Sequence, residues 1–136
     1  MTGSSRRLPG DAERGSAVAE FVMVAALLTA LTLAVLQLAL ALHIRNTVLD
    51  AAAEGARYAA LADSGLDQGS ARSRDLITAA LGPGYAADVS ASYADVAGQP
   101  GVRVRVLARL PLFGLLGMDR GLEVEGHAAV EGSGIE

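Results

Sequence analysis

Chemistry in a small chain needs a nucleophile beside a base, a metal-ligand cluster, or a charge held in unusual surroundings. The two histidines, His43 and His127, lie far apart in the sequence, with no HExxH and no His/Asp cluster at metal spacing around either. Ser16, Ser64 and Ser70 have no nucleophile context. No Gly-rich phosphate loop ends in Lys-Ser or Lys-Thr, since the chain has no Lys at all. Gly114-Leu115-Leu116-Gly117 has the outline of a nucleic-acid-clamping tetrapeptide, but its centre is apolar and the chain is acidic. There are no cysteines, so disulfides and thiolate sites are excluded. The residue that stands out is Glu20, a single acid set inside an apolar run. Such an acid costs about 2.5–3.5 kcal/mol near a bilayer centre and less near its edge, so it calls for a partner.

The element that positions Glu20 is an apolar segment. From Phe21 to Leu42 there is no charged side chain, and only Thr29, Thr32 and Gln37 interrupt the run. At about 1.5 Å per residue it reaches roughly 33 Å, enough to cross the hydrocarbon core of a membrane. Arg6, Arg7 and Arg14 precede it, whereas His43, Arg45, Asp50 and Glu54 follow, which favours a cytoplasmic N-terminus and an external C-terminal domain. The segment has three possible fates. Ala39-Leu40-Ala41 offers a small-x-small site for secretion with cleavage after Ala41, and an uncleaved anchor would need no site. The third fate is cleavage on the cytoplasmic side after Gly15, which the order Glu13-Arg14-Gly15-Ser16-Ala17-Val18-Ala19-Glu20-Phe21 favours. Cleavage there gives Ser16 a free amine, and Glu20 lies one turn away to neutralise it or that of a neighbouring subunit. The plainer alternative is that Glu20 marks the membrane boundary and suits a helix N-terminus.

Gly15-Ser16-Ala17-Val18-Ala19-Glu20-Phe21 resembles the prepilin peptidase motif of type IV-like pilins, in the Glu-Phe form of tight-adherence (Flp) systems. The stretch from Gln37 through Asn46, with Ala53-Glu54-Gly55-Ala56-Arg57-Tyr58-Ala59-Ala60, is similar to TadE-like minor pilins or pseudopilins. The resemblance covers about residues 12–62. It implies a non-enzymatic structural or assembly component of a pilus or related secretion system, with no cofactor. Its implied partners are a prepilin peptidase, other pilins or pseudopilins, an assembly ATPase and membrane platform proteins, beside membrane lipid. Many relatives carry a Pro in the apolar segment, and this chain has none between Phe21 and Leu42, so a kinked anchor is less expected.

Beyond the membrane, Ile44, Val48, Ala51 or Ala52, Gly55, Ala59 and Ala62 recur at helical spacing, and Ser64-Gly65 gives a stop. The spacing predicts one helix from about Ser16 to Ala62, roughly 70 Å long at 1.5 Å per residue, whose outer part is a stalk. Ala52, Gly55, Ala56, Ala59 and Ala60 give that stalk a small-residue face. It suits close packing against other stalks or against the chain's own strands, and both uses are expected in part. Arg57 and Tyr58 are read as braces between stalk and head. A second helix is predicted from Ser70 or Ala71 to Leu81, ended by Gly82-Pro83-Gly84 after a polar loop from Asp63 to Gly69.

Three strands follow, around Val89–Tyr93, Val102–Val106 and Leu122–Val130, with a turn at Gly98-Gln99-Pro100-Gly101. If the last two are neighbours, Arg103, Arg105 and Arg109 face Glu123, Glu125 and Glu131 on the outer surface. The apolar connection from Leu110 to Met118 is read as a cap over the core, the other use being a patch for a neighbour or the membrane. The expectation is an α+β chain: a leader over 1–15, a transmembrane helix and stalk over 16–62 with its membrane part at 20–42, and an extracytoplasmic head over 63–136. The head is a short helix with an antiparallel three-stranded sheet. The net charge of −4 speaks against general nucleic-acid binding. An uncleaved, membrane-tethered binding module of the cell envelope is the competing reading.

Overall fold

A computed structural model describes residues 3, 9–61, 64–86, 88–109 and 121–130. Helix α1 runs over Pro9–Ala60 and α2 over Leu66–Leu81; a 3-10 turn at Pro83–Tyr85 leads into strand β1, Asp88–Val96. Strands β2, Gln99–Arg109, and β3, Gly121–Ala129, complete the α+β fold. The sheet has the order β1-β2-β3 with both pairs antiparallel. Two compact units are distinguished, residues 1–38 and residues 39–136, so α1 from Ala39 onward is counted with the head.

Helix α1 begins earlier than the expected Ser16. Pro9, its first described residue, suits a first turn, where a missing N–H costs nothing, and Ala12, Glu13 and Arg14 are good helix formers. Gly15 and Ser16 therefore lie within a continuous helix. The last described helical residue is Ala60, and Ala62 lies outside the described residues.

Helix α2 also begins earlier than expected, at Leu66, and includes Gly69. By local propensity Gly69 is a breaker, about 1 kcal/mol worse than Ala. Packing against α1 overrides that cost. A Cβ on Gly69 would lie 2.7 Å from the Gly55 carbonyl oxygen, and one on Gly55 would lie 2.6 Å from the Gly69 carbonyl oxygen. The two glycines face each other where the helices cross. Buried Ser73 completes the contact by donating its hydroxyl to the Ala51 carbonyl at 3.0 Å.

The inner face of the sheet supplies the rest of the core. Val89, Val102, Val104, Val106, Ala108 and Val124 are buried together with Ile44, Val48, Ala51, Ala52 and Ala56 of α1 and Ile77 of α2. Strict alternation puts Arg103, Arg105, Glu123, Glu125 and His127 on the other face. Gly126 breaks the alternation in kind but not in phase: it is an inward position whose missing Cβ lets β3 lie on the backbone of Ala52 and Ala53.

The β1–β2 turn is shorter than the sequence indicated. Val96 pairs with Gln99, so the loop is Ala97-Gly98 alone, and Pro100 and Gly101 are strand residues. Pro100 is tolerated because only its carbonyl is used, accepting from the Val130 N–H at 2.9 Å. Both loop residues have positive φ, 53° at Ala97 and 82° at Gly98, as a two-residue type I′ hairpin requires. Ala97 is the strained member, because a Cβ disfavours this region by about 1–2 kcal/mol. Ala97→Asn restores the preferred Asn-Gly pair, and thermal denaturation should show a gain of about 0.5–1 kcal/mol. An unchanged or lowered midpoint would contradict this account of the turn.

Candidate functional site

The first candidate is the stretch Gly15–Phe21 on α1. Ser16 and Glu20 are four residues apart, hence neighbours on one helix face. Gly15, Ser16 and Glu20 are exposed, and nothing lies within 4 Å of a Cβ built on Gly15. Phe21 is 73% exposed, and the large apolar side chains that follow it are exposed around the whole helix. The hydroxyls in this segment are satisfied locally, Thr29 donating to the Ala25 carbonyl and Thr32 to the Leu28 carbonyl, each at 2.8 Å. A segment with internally paired polar groups and outward apolar side chains suits a lipid surround. Helix α1 is long and apolar enough to cross a membrane.

The second candidate is the small-residue face. Ala52, Ala56 and Ala59 are buried, as is Gly55. What covers them belongs to the same chain: Gly69 and Ser73 of α2 lie over Gly55, Gly69 over Ala59, and Gly126 of β3 over Ala52. Of the two uses that the sequence allowed, the structure shows the internal one. Arg57 is exposed and pairs with Glu54 at 3.6 Å, and Tyr58 is 39% exposed. The sequence reading passed over Gly69, Ser73 and Gly126. The signal available for Gly126 was a glycine at an inward position of an alternating strand, which marks a close backbone approach.

The outer face of the sheet carries a ladder of charges. Register puts Arg105 opposite Glu125 and Arg103 opposite His127. Arg105 donates to Glu125 from Nε at 3.0 Å and from Nη2 at 2.9 Å, and its Nε lies 3.1 Å from Glu123. Arg103 donates to His127 Nε2 at 3.1 Å, with a Glu125 oxygen 3.6 Å from the same Arg103 nitrogen. Arg109 stands opposite Gly121 instead of an acid, and Glu131 lies outside the described residues, as does the Leu110–Met118 connection.

The hydrogen bond from Arg105 holds the Glu125 carboxyl below the usual carboxylate range, with Arg103 and His127 adding to the effect against some desolvation. Glu125 also holds the Arg105 guanidinium above its ordinary value. A lowered carboxyl contributes stability that is complete above its unfolded value, about 4, and is lost as pH falls through the folded value. Melting temperatures measured from pH 7 downward should hold level and then drop in acid. Arg105→Ala should flatten that drop, and raised salt should shrink the difference between the two proteins. An acid limb unchanged by Arg105→Ala would show that the ladder is decorative.

Among the described residues, no group of three or more His, Cys, Asp or Glu is placed to hold a metal ion. A groove of about 470 Å³ between α1 and α2 is lined by Thr47, Asp50, Glu54, Arg57, Leu76 and Ala80, among others, and its Thr47 hydroxyl donates to the His43 carbonyl at 2.9 Å.

A helix long and apolar enough to cross a membrane, joined to a small head with one polar sheet face, defines the class as an α+β protein with a candidate membrane-spanning helix. Residues 15–57 match the family model described as TadE-like protein. The match begins at Gly15 and ends at Arg57, within α1. The chain matches none of the curated proteins and none of the solved structures.

Proposed function

We propose that this chain is a TadE-like minor pilin or pseudopilin, a non-enzymatic structural component of a tight-adherence pilus or related secretion system. In this reading α1 anchors the chain with its N-terminus in the cytoplasm and its head outside, and a prepilin peptidase cuts between Gly15 and Ser16. Assembly ATPase, platform proteins and other pilins are its partners. The observation that carries the reading is that the family match starts at Gly15, the residue ahead of the proposed cut. Glu20 supports it, exposed one turn from Ser16. A Ser16 amine would make Glu20 the acid of a new helix N-terminus, where negative charge is favourable.

The mature N-terminus tests the proposal. Mass spectrometry of the chain from cells that possess the peptidase should find Ser16 first. Met1 retained would leave an uncleaved anchored binding module, and Leu42 first would mean secretion after Ala41.

A further inference from the structure

We propose that two copies of this chain pair in parallel along the exposed face of α1 formed by Leu42, Asn46 and Leu49, with Arg45 of each copy bonded to Asp50 of the other. Leu42 is 48% exposed and Leu49 41%, on a helix whose opposite face, at Ile44 and Val48, is sealed in the core. Leu42, Asn46 and Leu49 are spaced four and three apart, so they form a single seam at coiled-coil spacing. Large residues occupy one position of each repeat and a polar residue the other. Leu at one seam position with a single Asn at the other fixes the register and oligomer state of a helix pair, at some cost in stability.

Charge identifies the occupant as a second copy. Arg45 and Asp50 are exposed and flank the seam on opposite sides, five residues apart. In a parallel pair those are the two flanking positions that meet across the interface, so the chain is complementary to itself there. Among the described residues neither makes an ion pair or side-chain hydrogen bond within the chain, whereas Glu54 and Arg57 on the next turn satisfy each other. Lipid would cover Leu42 equally well but has no use for an Arg and an Asp set at this spacing.

The seam has a definite upper end. The next seam position is Ala53, which is half-buried and lines the groove between α1 and α2, so the exposed seam ends at Leu49. In the other direction the sequence continues the repeat: Phe21, Leu28 and Val35 at the large position, Ala25, Thr32 and Ala39 at the small one. Small residues opposite large ones let helices approach within a membrane. Two copies anchored through the same helix in one membrane are also already parallel.

The chain has no cysteine, so one introduced thiol reports the contact without background. Leu42→Cys and Leu49→Cys, made separately in the full chain in membranes and oxidised, should each give a disulfide-linked species of twice the chain mass. Facing seam positions fall within the roughly 4.4–6.8 Å Cα separation a disulfide needs. Ala79→Cys, exposed on α2, should crosslink at least about fivefold less. On the Leu49→Cys background, Arg45→Asp should lower the yield by about five- to tenfold, and adding Asp50→Arg should restore it. Equal yields at all three thiols, a product of any other mass, or no rescue by the double charge reversal would overturn the proposal. The pairing needs neither cleavage nor a pilus: its failure leaves the pilin reading standing, and an uncut but crosslinked chain would sink only the latter.

Discussion

Gly126→Ala should unfold the head well below the melting temperature of the native chain. The added Cβ has no side chain to push aside: it would fall on the backbone of Ala52 and Ala53, with the Ala52 carbonyl oxygen 2.7 Å away. Helix backbone cannot yield without breaking its own hydrogen bonds, so β3 must lift from α1. Lifting β3 uncovers Val124 and the buried valines of β2 behind it. Overpacking of this kind sits at the upper end of its usual range, about 3 kcal/mol. In a domain of about this size that corresponds to roughly 10–20 °C in melting temperature. Gly121→Ala is the matched control, in the same strand with nothing within 4 Å of the new Cβ, and should stay within about 0.5 kcal/mol. Hydrogen exchange of the β2 and β3 amides separates head unfolding from any change in the apolar part of α1. Equal protection in the two variants would mean that the close approach of β3 to α1 is not what holds the head.

The same contact explains what could be read in the sequence and what could not. The apolar run, the alternation in β2 and β3, and the Arg and Glu side chains on one sheet face follow from periodicity, which is local. The fold class followed from them. The start of α2 did not, because Gly69 looks like a loop residue until Gly55 is seen across from it. The hairpin was misplaced for a related reason. Gly98-Gln99-Pro100-Gly101 has turn composition, yet the pairing of Val96 with Gln99 puts the turn on Ala97-Gly98 and leaves the strained φ on an alanine. Register also sets Arg109 opposite a glycine, a pairing that composition cannot show. The small face of α1 is expected from its sequence to serve an outer and an inner partner in part, and the position of α2 and β3 shows the inner use, with Ala52, Gly55, Ala56 and Ala59 buried. With that face occupied, the face bearing Leu42, Asn46 and Leu49 is one of the surfaces of α1 that stay exposed.

Glu20→Gln should leave cleavage after Gly15 intact and lower incorporation of the mature chain into surface pili by about tenfold to a hundredfold. The two effects separate because the residues do different work in the proposed function. Gly15 is what the peptidase would require at the cut, with no neighbouring side chain to crowd an enzyme. Glu20 would act afterwards, when the new Ser16 amine enters an apolar assembly. A lone charge in such surroundings costs about 2.5–3.5 kcal/mol near a bilayer centre and less toward its edge. Each 1.4 kcal/mol is a factor of ten, which sets the expected loss. Glutamine keeps the size and much of the helix preference of glutamate, so helix α1 and the head should be unaffected. Mass spectrometry of the membrane-held chain gives the cleavage, and quantitation in sheared surface fractions gives the assembly. If the Glu20→Gln chain is cut and assembled normally, Glu20 is reduced to a boundary marker, whereas loss of cleavage would make it part of the peptidase's recognition.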